Sequence, residues 1–590
     1  MLMARGQFKF LSVKKYLSIR KMSAFNKEVI VEGQASMLYD KSEAVFYNKV
    51  QVLNRDISIQ IIKLFAEKRE EEHRRRFEAK KARNSSVQYT DFRGIHILDA
   101  LAATGLRSVR YLKEIPNVRH VTINDLVPAA TQTALENVIR NGVDESRVTI
   151  NNGDACLLMY QHRDAMLQYD VIDLDPYGTA APFLDSAVQA VADGGLLCVT
   201  CTDAAVLCGT YPEKCAALYG SVPLKARYLH EMALRILLHS IDSTANKYKR
   251  YIVPWMSVSV DFYVRVFVRV YVSAAEVKNS CLKRAYVYQS TRCPSFYLQP
   301  LASKSPKNTY SSSIIAAPST CPETGGNMRI GGPIWSDPIH SPEVVNELLQ
   351  RMLFLNETTD NETAGDATAT EVSEKDSNLG SRKVETTKLD DGKVAINNKA
   401  TIQNVVVPTL RRLIGLLATI SEELVDVPLY YTLPELGSTV HMPTPNMLDF
   451  MSALMNAGYR VSQAHHEPNA IKTDAPPQVV WDIIRSHCKI HPPAGSKHRK
   501  IAPEQDAAIS ILQKDCTTAV DFAMHSDLRR RLVDRPIAAR FPMNPEANWG
   551  PKQRAGRKKD FEVDETNTEL EVGKNEDDKL EESKLKKPRT

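Results

Sequence analysis

Between residues 94 and 200, short apolar runs alternate with segments of helical spacing, and this alternation constrains the fold more than any other feature of the sequence. Apolar runs of this length are too short for helices and are typical of buried strands. Their alternation with helices predicts a doubly wound α/β fold with a parallel sheet. The predicted strands span residues 94–99, 121–125, 148–150, 171–175 and 195–200.

Acidic residues stand at or just after the ends of four of these strands, namely Asp99, Asp125, Asp154 and Asp175. The carboxyl ends of parallel strands meet at one edge of a sheet, which is where open α/β sheets bind their ligands. The sequence therefore predicts a row of carboxylates along a ligand-binding edge.

The turn after the first strand, residues 100–107, has a single glycine, Gly105, and lacks the G-x-G-x-x-G pattern. Without that phosphate cradle, binding of NAD or ATP is disfavoured. A ligand that has an amino-acid tail and no phosphate fits this turn better. S-adenosylmethionine is such a ligand.

This cofactor gives each nearby polar residue a specific role. Asp125 is expected to accept from the ribose hydroxyls, and Asp154 from the adenine amino group, with the Ala155 backbone beside it. Arg107, and Arg55 further upstream, are candidates for binding the methionine carboxylate. For each residue alone the alternative is a helix cap or a surface charge, and for Arg55 a surface position beside a helix start.

The predicted strand 171–175 leads into Asp175-Pro176-Tyr177-Gly178. Pro176 ends the strand ladder and favours an extended backbone at Asp175. The carboxylate and the Pro176 carbonyl can accept the two hydrogens of a nucleobase amine, while the Tyr177 ring stacks on the base. The motif thus predicts methyl transfer to such an amine. The alternative is an aspartate that caps the next helix and a tyrosine that packs.

Residues 257–273 alternate valine or aromatic residues with polar ones, which predicts antiparallel strands that close the sheet. Arg265 and Arg269 fall on one face of this segment, where they are either solvated or directed towards RNA. A helix is predicted at 224–238. Residues 66–83 predict a solvated charged helix, with a basic face for RNA as the alternative.

Two pairs, Ser290-x-x-Cys293 and Cys321-x-x-Thr324, have the spacing of a zinc ribbon. Serine and threonine occupy two of the four ligand positions. Because two thiolates alone make a poor structural zinc site, we predict that no metal is bound here.

The formal net charge of +6 permits a polyanionic partner without requiring one. Residues 1–27 contain seven Lys or Arg and no acidic residue, which is typical of a mitochondrial presequence; a disordered basic arm that holds RNA is the alternative. Residues 552–559 are a candidate nuclear localisation signal or a plain basic run. The basic clusters at 496–500 and 529–531 are either solvated or contact phosphates. No apolar run is long enough to span a bilayer.

Taken together, these motifs resemble those of the tRNA (guanine-26) N2-dimethyltransferase family. The similarity extends over residues 30–545 and is interrupted at 356–400 by a polar insertion that is predicted to be disordered. The resemblance is carried by Glu32-Gly33, Phe46-Tyr47-Asn48, Asn54-Arg55-Asp56, ATGLRSVR at 103–110, Asn124-Asp125, Gly153-Asp154-Ala155, DLDPYGT at 173–179 and GGPIW at 331–335.

The resemblance implies a Rossmann-like class I methyltransferase domain at 29–275, after a presequence-like segment at 1–28. It implies a C-terminal α+β RNA-binding domain at 276–355 and 401–545, followed by a charged, disordered tail at 546–590. The implied reaction is transfer of one or two methyl groups from S-adenosylmethionine to N2 of guanine 26 in tRNA. Similar fungal members serve both mitochondrion and nucleus.

The family's functional residues carry over onto the same positions, with Asp175 as the catalytic aspartate, Tyr177 as the stacking ring, and cofactor contacts at Arg55, Arg107, Asp125, Asp154 and Ala155. Many members have two Cys-x-x-Cys pairs, from which this chain departs. The expected partner is tRNA, with no obligate protein partner. Two other functions stay open, namely an amino-methyltransferase acting on adenine N6 in DNA or another RNA, and a tRNA chaperone without turnover.

Overall fold

A hairpin and a long helix begin the part of the chain that the computed structural model describes. The hairpin joins β1 (Lys27–Glu32) to β2 (Ala35–Asp40), and helix α1 follows at Val52–Arg83. The predicted charged helix is the second half of α1. The described residues are 27–40, 47–84, 88–367, 406–492, 506–534, 538, 540 and 541. The predictions for residues 1–26, 496–500 and 546–590, which include the basic run 552–559, lie outside them.

Seven strands form the central sheet, and helices alternate with them along the chain. In chain order these elements are β3 (Ile95–Asp99), α2 (Leu106–Glu114), β4 (Val118–Asp125), α3 (Pro128–Arg140), β5 (Val148–Asn152), α4 (Ala155–Gln161), β6 (Tyr169–Leu174), α5 (Leu184–Ala190), β7 (Val191–Cys201), α6 (Ala204–Leu207), α7 (Pro212–Tyr219), α8 (Leu229–Asn246), β8 (Arg250–Val260) and β9 (Tyr263–Val272). Their order across the sheet is β5-β4-β3-β6-β7-β9-β8. The first five strands are parallel, and β9 is antiparallel to both of its neighbours. The predicted Rossmann-like sheet and its antiparallel closing strands are confirmed.

Consecutive residues of the central strands pack on opposite faces of this sheet. Ile97 and Val171 belong to the apolar core on one face, whereas Leu98 and Ile172 belong to the core on the other. All four side chains are fully buried. Because both faces are covered, these strands have continuous apolar sequences instead of an alternating pattern.

Three small sheets and further helices follow β9. These elements are α9 (Ala274–Val277), β10 (Arg284–Ser290), β11 (Phe296–Pro300), β12 (Ala302–Lys304), β13 (Tyr310–Ser312), β14 (Met328–Trp335), α10 (Pro342–Ala367), α11 (Leu410–Glu422), β15 (Tyr431–Thr432), α12 (Leu433–Thr439), α13 (Met447–Asn456), β16 (Val461–Ala464), β17 (Glu467–Thr473), α14 (Pro477–Ile490), α15 (Ala507–Leu512) and α16 (Ser526–Arg529). The sheets have the orders β11-β10-β14, β12-β13 and β15-β17-β16. Within the described ranges, no helix combines the length and the apolar character needed to cross a membrane.

Residues of this C-terminal half belong to three apolar cores. One surrounds the fully buried Trp481 of α14. The second is the core on the Ile97 face of the central sheet, which also contains Leu348 of α10 and Leu417 of α11. The third, on the opposite face of the sheet, includes Trp335 of β14. Helices from beyond residue 275 therefore complete one face of the sheet.

Two predicted segments differ from the structure. The helix expected at 224–238 begins only at Leu229, because Val222 forms two backbone hydrogen bonds with Gly332 of β14 and holds the preceding chain in an extended form. Helix α10 continues to Ala367, through the first part of the insertion predicted to be disordered from residue 356. Leu355 packs against the core just before this point and anchors the helix. Residues 368–400 of the insertion lie outside the described residues.

The prediction that Arg265 and Arg269 are solvated or directed towards RNA is wrong. Both side chains are buried, with exposed fractions of 0% and 2%. Strand β9 lies between β7 and β8, and α1 packs over it, so that Arg265 donates to Ser58 Oγ at 2.8 Å and Arg269 to Glu72 Oε1 at 2.9 Å. The alternating pattern identified the strands but not the helix that covers them.

Candidate active site

A cavity of about 450 Å³ opens at the carboxyl ends of β3, β6 and β7. This is the sheet edge at which the sequence predicts a row of carboxylates. Five predicted site residues line the cavity: Arg55, Arg107, Asp175, Pro176 and Tyr177. Asp99 lies on the same wall, as does the small-residue turn that follows it.

Asp175 follows β6 directly, and its carboxylate faces the cavity beside the Arg107 guanidinium of α2. Arg107 Nη2 donates to Asp175 Oδ2. The Asp175 side chain is 21% exposed, so that it stays accessible from the cavity. Pro176 is buried, whereas Tyr177 is 60% exposed and presents its ring at the cavity wall. The arrangement combines a hydrogen-bond acceptor and an accessible aromatic face.

The loop that contains Asp175 is fixed by the residues after β7. The backbone N–H of Gly178 donates to Thr202 Oγ1 at 2.8 Å, and the backbone N–H of Thr202 donates to the Gly178 carbonyl at 2.8 Å. One residue further, Thr179 Oγ1 lies 2.6 Å from the Tyr219 hydroxyl, which donates to Asp203 Oδ2 at 2.9 Å. Sequence reasoning missed these contacts, since the partners lie in other segments, just after β7 and at the end of α7.

A buried ionic network lies beneath the cavity. Asp173 of β6 accepts two hydrogen bonds from Arg265, at 3.1 and 2.8 Å, and one from the Tyr111 hydroxyl at 2.5 Å. Arg107 Nη1 approaches the same carboxylate at 3.5 Å. Burial alone raises the pKa of Asp173, but Arg265 and Arg107 outweigh burial and lower it. Asp173 is therefore an anion inside the protein.

The pKa of Asp99, at the end of β3, shifts in the opposite direction to that of Asp173. Burial raises the pKa of the Asp99 carboxyl to about 7, and the nearby Asp173 anion adds to this shift. Ser108 Oγ donates to Asp99 Oδ2 at 2.6 Å, which opposes the shift in part. The charge of this cavity wall therefore changes near neutral pH.

Arg55, which also lines the cavity, is part of a second ionic network. It lies inside α1 and is only 8% exposed, so that a surface position beside a helix start is wrong. Its guanidinium makes two hydrogen bonds of 2.6 Å to Glu32 of β1. Arg110 Nη1 contacts Glu32 at 2.7 Å, and the Tyr47 hydroxyl donates to it at 3.0 Å. Burial opposes ionisation of Glu32, but Arg55 and Arg110 lower its pKa to about 2.

Asp125, Asp154 and Ala155 lie further along the same sheet edge and are not among the residues that line this cavity. Asp125 is adjacent to it, since its Oδ2 accepts from the backbone N–H of Ala103, a lining residue, at 2.9 Å. Asp154 caps α4 by accepting from the N–H of Cys156 at 2.6 Å. Ala155 is the first residue of α4 and is buried.

The turn after β3 requires its single glycine. Gly105 has a φ of +70°, which L side chains rarely adopt. A Cβ at this position would lie 2.8 Å from the Ala134 Cβ of α3. The glycine thus serves close packing between α2 and α3 and a tight turn, in keeping with the absence of a phosphate cradle in the sequence.

The chain's relationships agree with this geometry. The family described as TRM, N2,N2-dimethylguanosine tRNA methyltransferase, matches residues 26–370 and 387–485. The chain belongs to this family. The match includes every residue that lines the cavity.

Named relatives in this methyltransferase family come from animals, plants and fungi. A mouse tRNA (guanine(26)-N(2))-dimethyltransferase is 40% identical, and the aligned region covers 89% of this chain and 76% of the relative. An Arabidopsis thaliana tRNA (guanine(26)-N(2))-dimethyltransferase 1 is 39% identical, and the aligned region covers 90% of this chain and 88% of the relative. A mitochondrial tRNA (guanine(26)-N(2))-dimethyltransferase of Saccharomyces cerevisiae is 32% identical, and the aligned region covers 89% of this chain and 92% of the relative.

A solved structure of Trm1 from Pyrococcus horikoshii in complex with S-adenosyl-L-methionine is also similar to this chain. It is 25% identical, with a TM-score of 0.56, and the match covers 77% of this chain and 98% of the Trm1 chain. The Rossmann-like methyltransferase fold of this family is therefore present here.

The Ser290, Cys293, Cys321 and Thr324 set forms part of a packed core in this family member. The two sulfur atoms lie 3.6 Å apart, and Cys293 Sγ lies 3.4 Å from Ser290 Oγ. All four residues are buried. Beside them, the Trp481 indole N–H donates to Ser295 Oγ at 2.8 Å. Side-chain packing and hydrogen bonds thus stabilise this segment.

Another set of potential metal ligands lies buried near α8, and sequence reasoning missed it: His340, Glu423 and His465. The Glu423 carboxylate is ion-paired within the protein, whereas the Nε2 atoms of His340 and His465 are buried without a hydrogen-bond partner among the described residues. His465 Nδ1 lies 2.8 Å from Glu423 Oε2, and the Lys472 ammonium lies 2.8 Å from Glu423 Oε1. The lysine supplies the positive charge that the Glu423 carboxylate requires.

The contact between Thr202 and Gly178 leads to a prediction. Thr202→Val keeps the side-chain shape but removes the acceptor for the Gly178 N–H, so that the Asp175 loop loses one of its two reciprocal hydrogen bonds. We expect the methyl-transfer rate to fall about ten- to a hundred-fold, because small displacements of catalytic groups have effects of this size. Single-turnover kinetics of the variant and the wild type measure this change in rate.

Thr202→Ser is the matched control, since it retains the hydroxyl. It should keep a rate within about three-fold of the wild type. Equal rates for the valine and serine variants would show that the hydrogen bond does not position the loop.

Proposed function

We propose that this chain transfers one or two methyl groups from S-adenosylmethionine to N2 of guanine 26 in tRNA, in the cavity beside Asp175. Family membership supports the reaction and the substrate. The observation that carries the assignment of the site is the Asp175 carboxylate on the cavity wall, held by Arg107 and flanked by the exposed ring of Tyr177.

The residues present fit S-adenosylmethionine. The cavity wall includes the carboxyl group of Asp99, which suits a positively charged sulfonium, and the turn at Gly105 is not built for phosphate. When bound, this cofactor supplies an electrophilic methyl group.

The proposed cofactor contacts follow the sheet edge. We assign the methionine end to the wall that contains Arg55 and Arg107, the ribose to Asp125, and the adenine to Asp154 and the Ala155 backbone. Asp125 supports this assignment because its carboxylate already accepts from the Ala103 N–H at the cavity rim. Arg55 is paired with Glu32, and Arg107 is paired with Asp173 and Asp175.

On the substrate side, the target guanine leaves the tRNA stack, at a cost of a few kcal/mol. The exposed Tyr177 ring stacks on the extruded base in this proposal. Asp175 and the Pro176 carbonyl accept hydrogen bonds from the N2 amine, which makes its lone pair available for attack. The nitrogen bonds to the methyl carbon as the methyl–sulfur bond breaks, and the Asp175 carboxylate takes up the proton that the amine loses. Arg107 keeps the Asp175 carboxylate in position. Alignment and fixed charges supply most of the acceleration.

The domain organisation of the chain is part of this proposal. Residues 29–275 form the catalytic domain, and residues 276–355 and 401–545 form the tRNA-binding domain. The apolar core around Trp481 supports a distinct unit within the C-terminal half, whereas α10 and α11 pack against the central sheet.

We also propose that the protein acts in the mitochondrion and the nucleus. The acid-poor segment 1–27 and the basic run 552–559 support this, as does the mitochondrial relative from yeast. Fluorescent fusions of the full chain, and of variants that lack either segment, provide the test. Loss of each segment should abolish one location, and unchanged distributions would contradict the proposal.

Asp175→Ala is the direct test of the catalytic assignment. We expect S-adenosylmethionine affinity to change by less than about three-fold, whereas methyl transfer should fall at least about a hundred-fold, because the acceptor for the amine hydrogens is lost. Calorimetry measures cofactor binding, and mass spectrometry of nucleosides from the product tRNA measures transfer.

Asp515→Ala removes an exposed aspartate outside the cavity and is the matched control, with wild-type activity expected. Turnover by Asp175→Ala at the wild-type rate would remove Asp175 from the mechanism. N6-methyladenine as the wild-type product would contradict the proposed reaction itself.

A further inference from the structure

A second cavity, of about 270 Å³, lies where the loop before α8 meets the C-terminal elements. Lys225 comes from that loop, Arg292 from the turn after β10, Arg329 from β14 and Glu435 from α12. The volume is below the range of about 300–1,000 Å³ that is typical of pockets for drug-sized ligands. It suits one small polar group.

Two cations of this cavity lack partners. Lys225 and Arg329 are both exposed, and neither forms a hydrogen bond or an ion pair with any residue in the described ranges. Arg292 differs, because its Nη1 donates to the Thr324 carbonyl at 2.9 Å. Three positive charges from separate elements therefore surround one concave polar surface, and two of them keep their donors available for a ligand.

The GGPIW motif holds the wall of this cavity in place. Gly332 exchanges two backbone hydrogen bonds with Val222, at 3.0 and 2.8 Å. A Cβ on Gly331 would lie 2.5 Å from Leu224 Cγ, so that only glycine permits the observed approach. The residue before Lys225 is thus packed directly against β14, which explains a motif that the active site does not use.

The second cavity is close to the first. Ala205 lines the active-site cavity, and Gly209, just after α6, packs against Lys225, since a Cβ on Gly209 would lie 3.3 Å from Lys225 Cγ. Four peptide units separate Ala205 from Gly209, and their Cα atoms are therefore at most about 15 Å apart. A polynucleotide with its target base in the first cavity is therefore long enough to reach the second.

We propose that the Lys225–Arg329 cavity binds one backbone phosphate of the tRNA substrate, at a nucleotide other than the methylated one. This inference rests on the proposed function. Lysine and arginine donors around a concave polar surface fit a phosphodiester, and such contacts set register without reading sequence. The Glu435 carboxylate on the same wall opposes the phosphate and limits its affinity.

The test uses the full chain with the double variant Lys225→Ala/Arg329→Ala and measures tRNA binding as a function of salt. Each phosphate contact contributes about 0.9 to the slope of log affinity against log salt. The variant should bind tRNA more weakly at low salt. Between about 50 and 200 mM salt, its loss of affinity should be about 3.5-fold smaller than that of the wild type. The affinity for S-adenosylmethionine and the rate at saturating tRNA should be unchanged.

Lys247→Ala/Lys278→Ala is the matched control, because it removes two exposed lysines at and beyond the far end of α8. It should have the wild-type salt slope. Glu435→Gln gives a test of opposite sign, and we expect tighter tRNA binding because the repelling carboxylate is lost. A double variant that matches the control, or a Glu435→Gln variant with unchanged affinity, would overturn the proposal.

Inorganic phosphate distinguishes tRNA from a free anion as the occupant. If phosphate competes with tRNA in the wild type but not in the double variant, the proposal is supported. If phosphate binds at this cavity without affecting tRNA affinity, the cavity is a site for a free anion and the proposal fails. Nucleoside analysis of wild-type product separates either failure from failure of the proposed reaction, since it reports methylation without reference to this cavity.

Discussion

The ion pair between Asp173 and Arg265 is the interaction on which the catalytic edge depends. Both side chains have no exposed area, and a buried charge without compensation is very costly. Arg265, Tyr111 and Arg107 together supply that compensation. Arg107 also contacts Asp175. Its guanidinium therefore both balances the buried Asp173 anion and orients the Asp175 carboxylate at the cavity wall. The position of the proposed catalytic carboxylate thus follows from the electrostatics beneath it.

The same network explains why neighbouring acids behave differently. Asp173 has two arginines close by and its pKa is lowered, whereas Asp99 lacks such a pair and the Asp173 anion adds to the rise in its pKa, to about 7. The proposed cofactor cavity therefore has one wall whose charge varies near neutral pH. As pH falls below about 7, Asp99 takes up a proton, and the negative charge of that wall decreases.

Much of this fold could be predicted from local pattern. The alternation of apolar runs and helices identified the sheet, and the acids after the strands identified its ligand-binding edge. The burial of Arg265 could not be predicted in this way, because it depends on Ser58 of α1, which is 207 residues away in sequence. The pairing of Arg55 with Glu32 depends likewise on a hairpin that packs beside α1. The roles of Thr202, just after β7, and of Tyr219, in α7, arise from contacts with a loop at least 24 residues away in sequence, and no local motif identifies them.

A double-mutant cycle between Arg107 and Asp175 tests the central claim most directly. Single-turnover methyl-transfer rates would be measured for Arg107→Lys, Asp175→Asn and the double variant, at saturating tRNA and S-adenosylmethionine. If Arg107 acts by holding Asp175, the double variant should be no slower than Asp175→Asn alone, because the arginine then has no carboxylate to position. Losses that multiply in the double variant would show that the two residues act independently and would contradict this account.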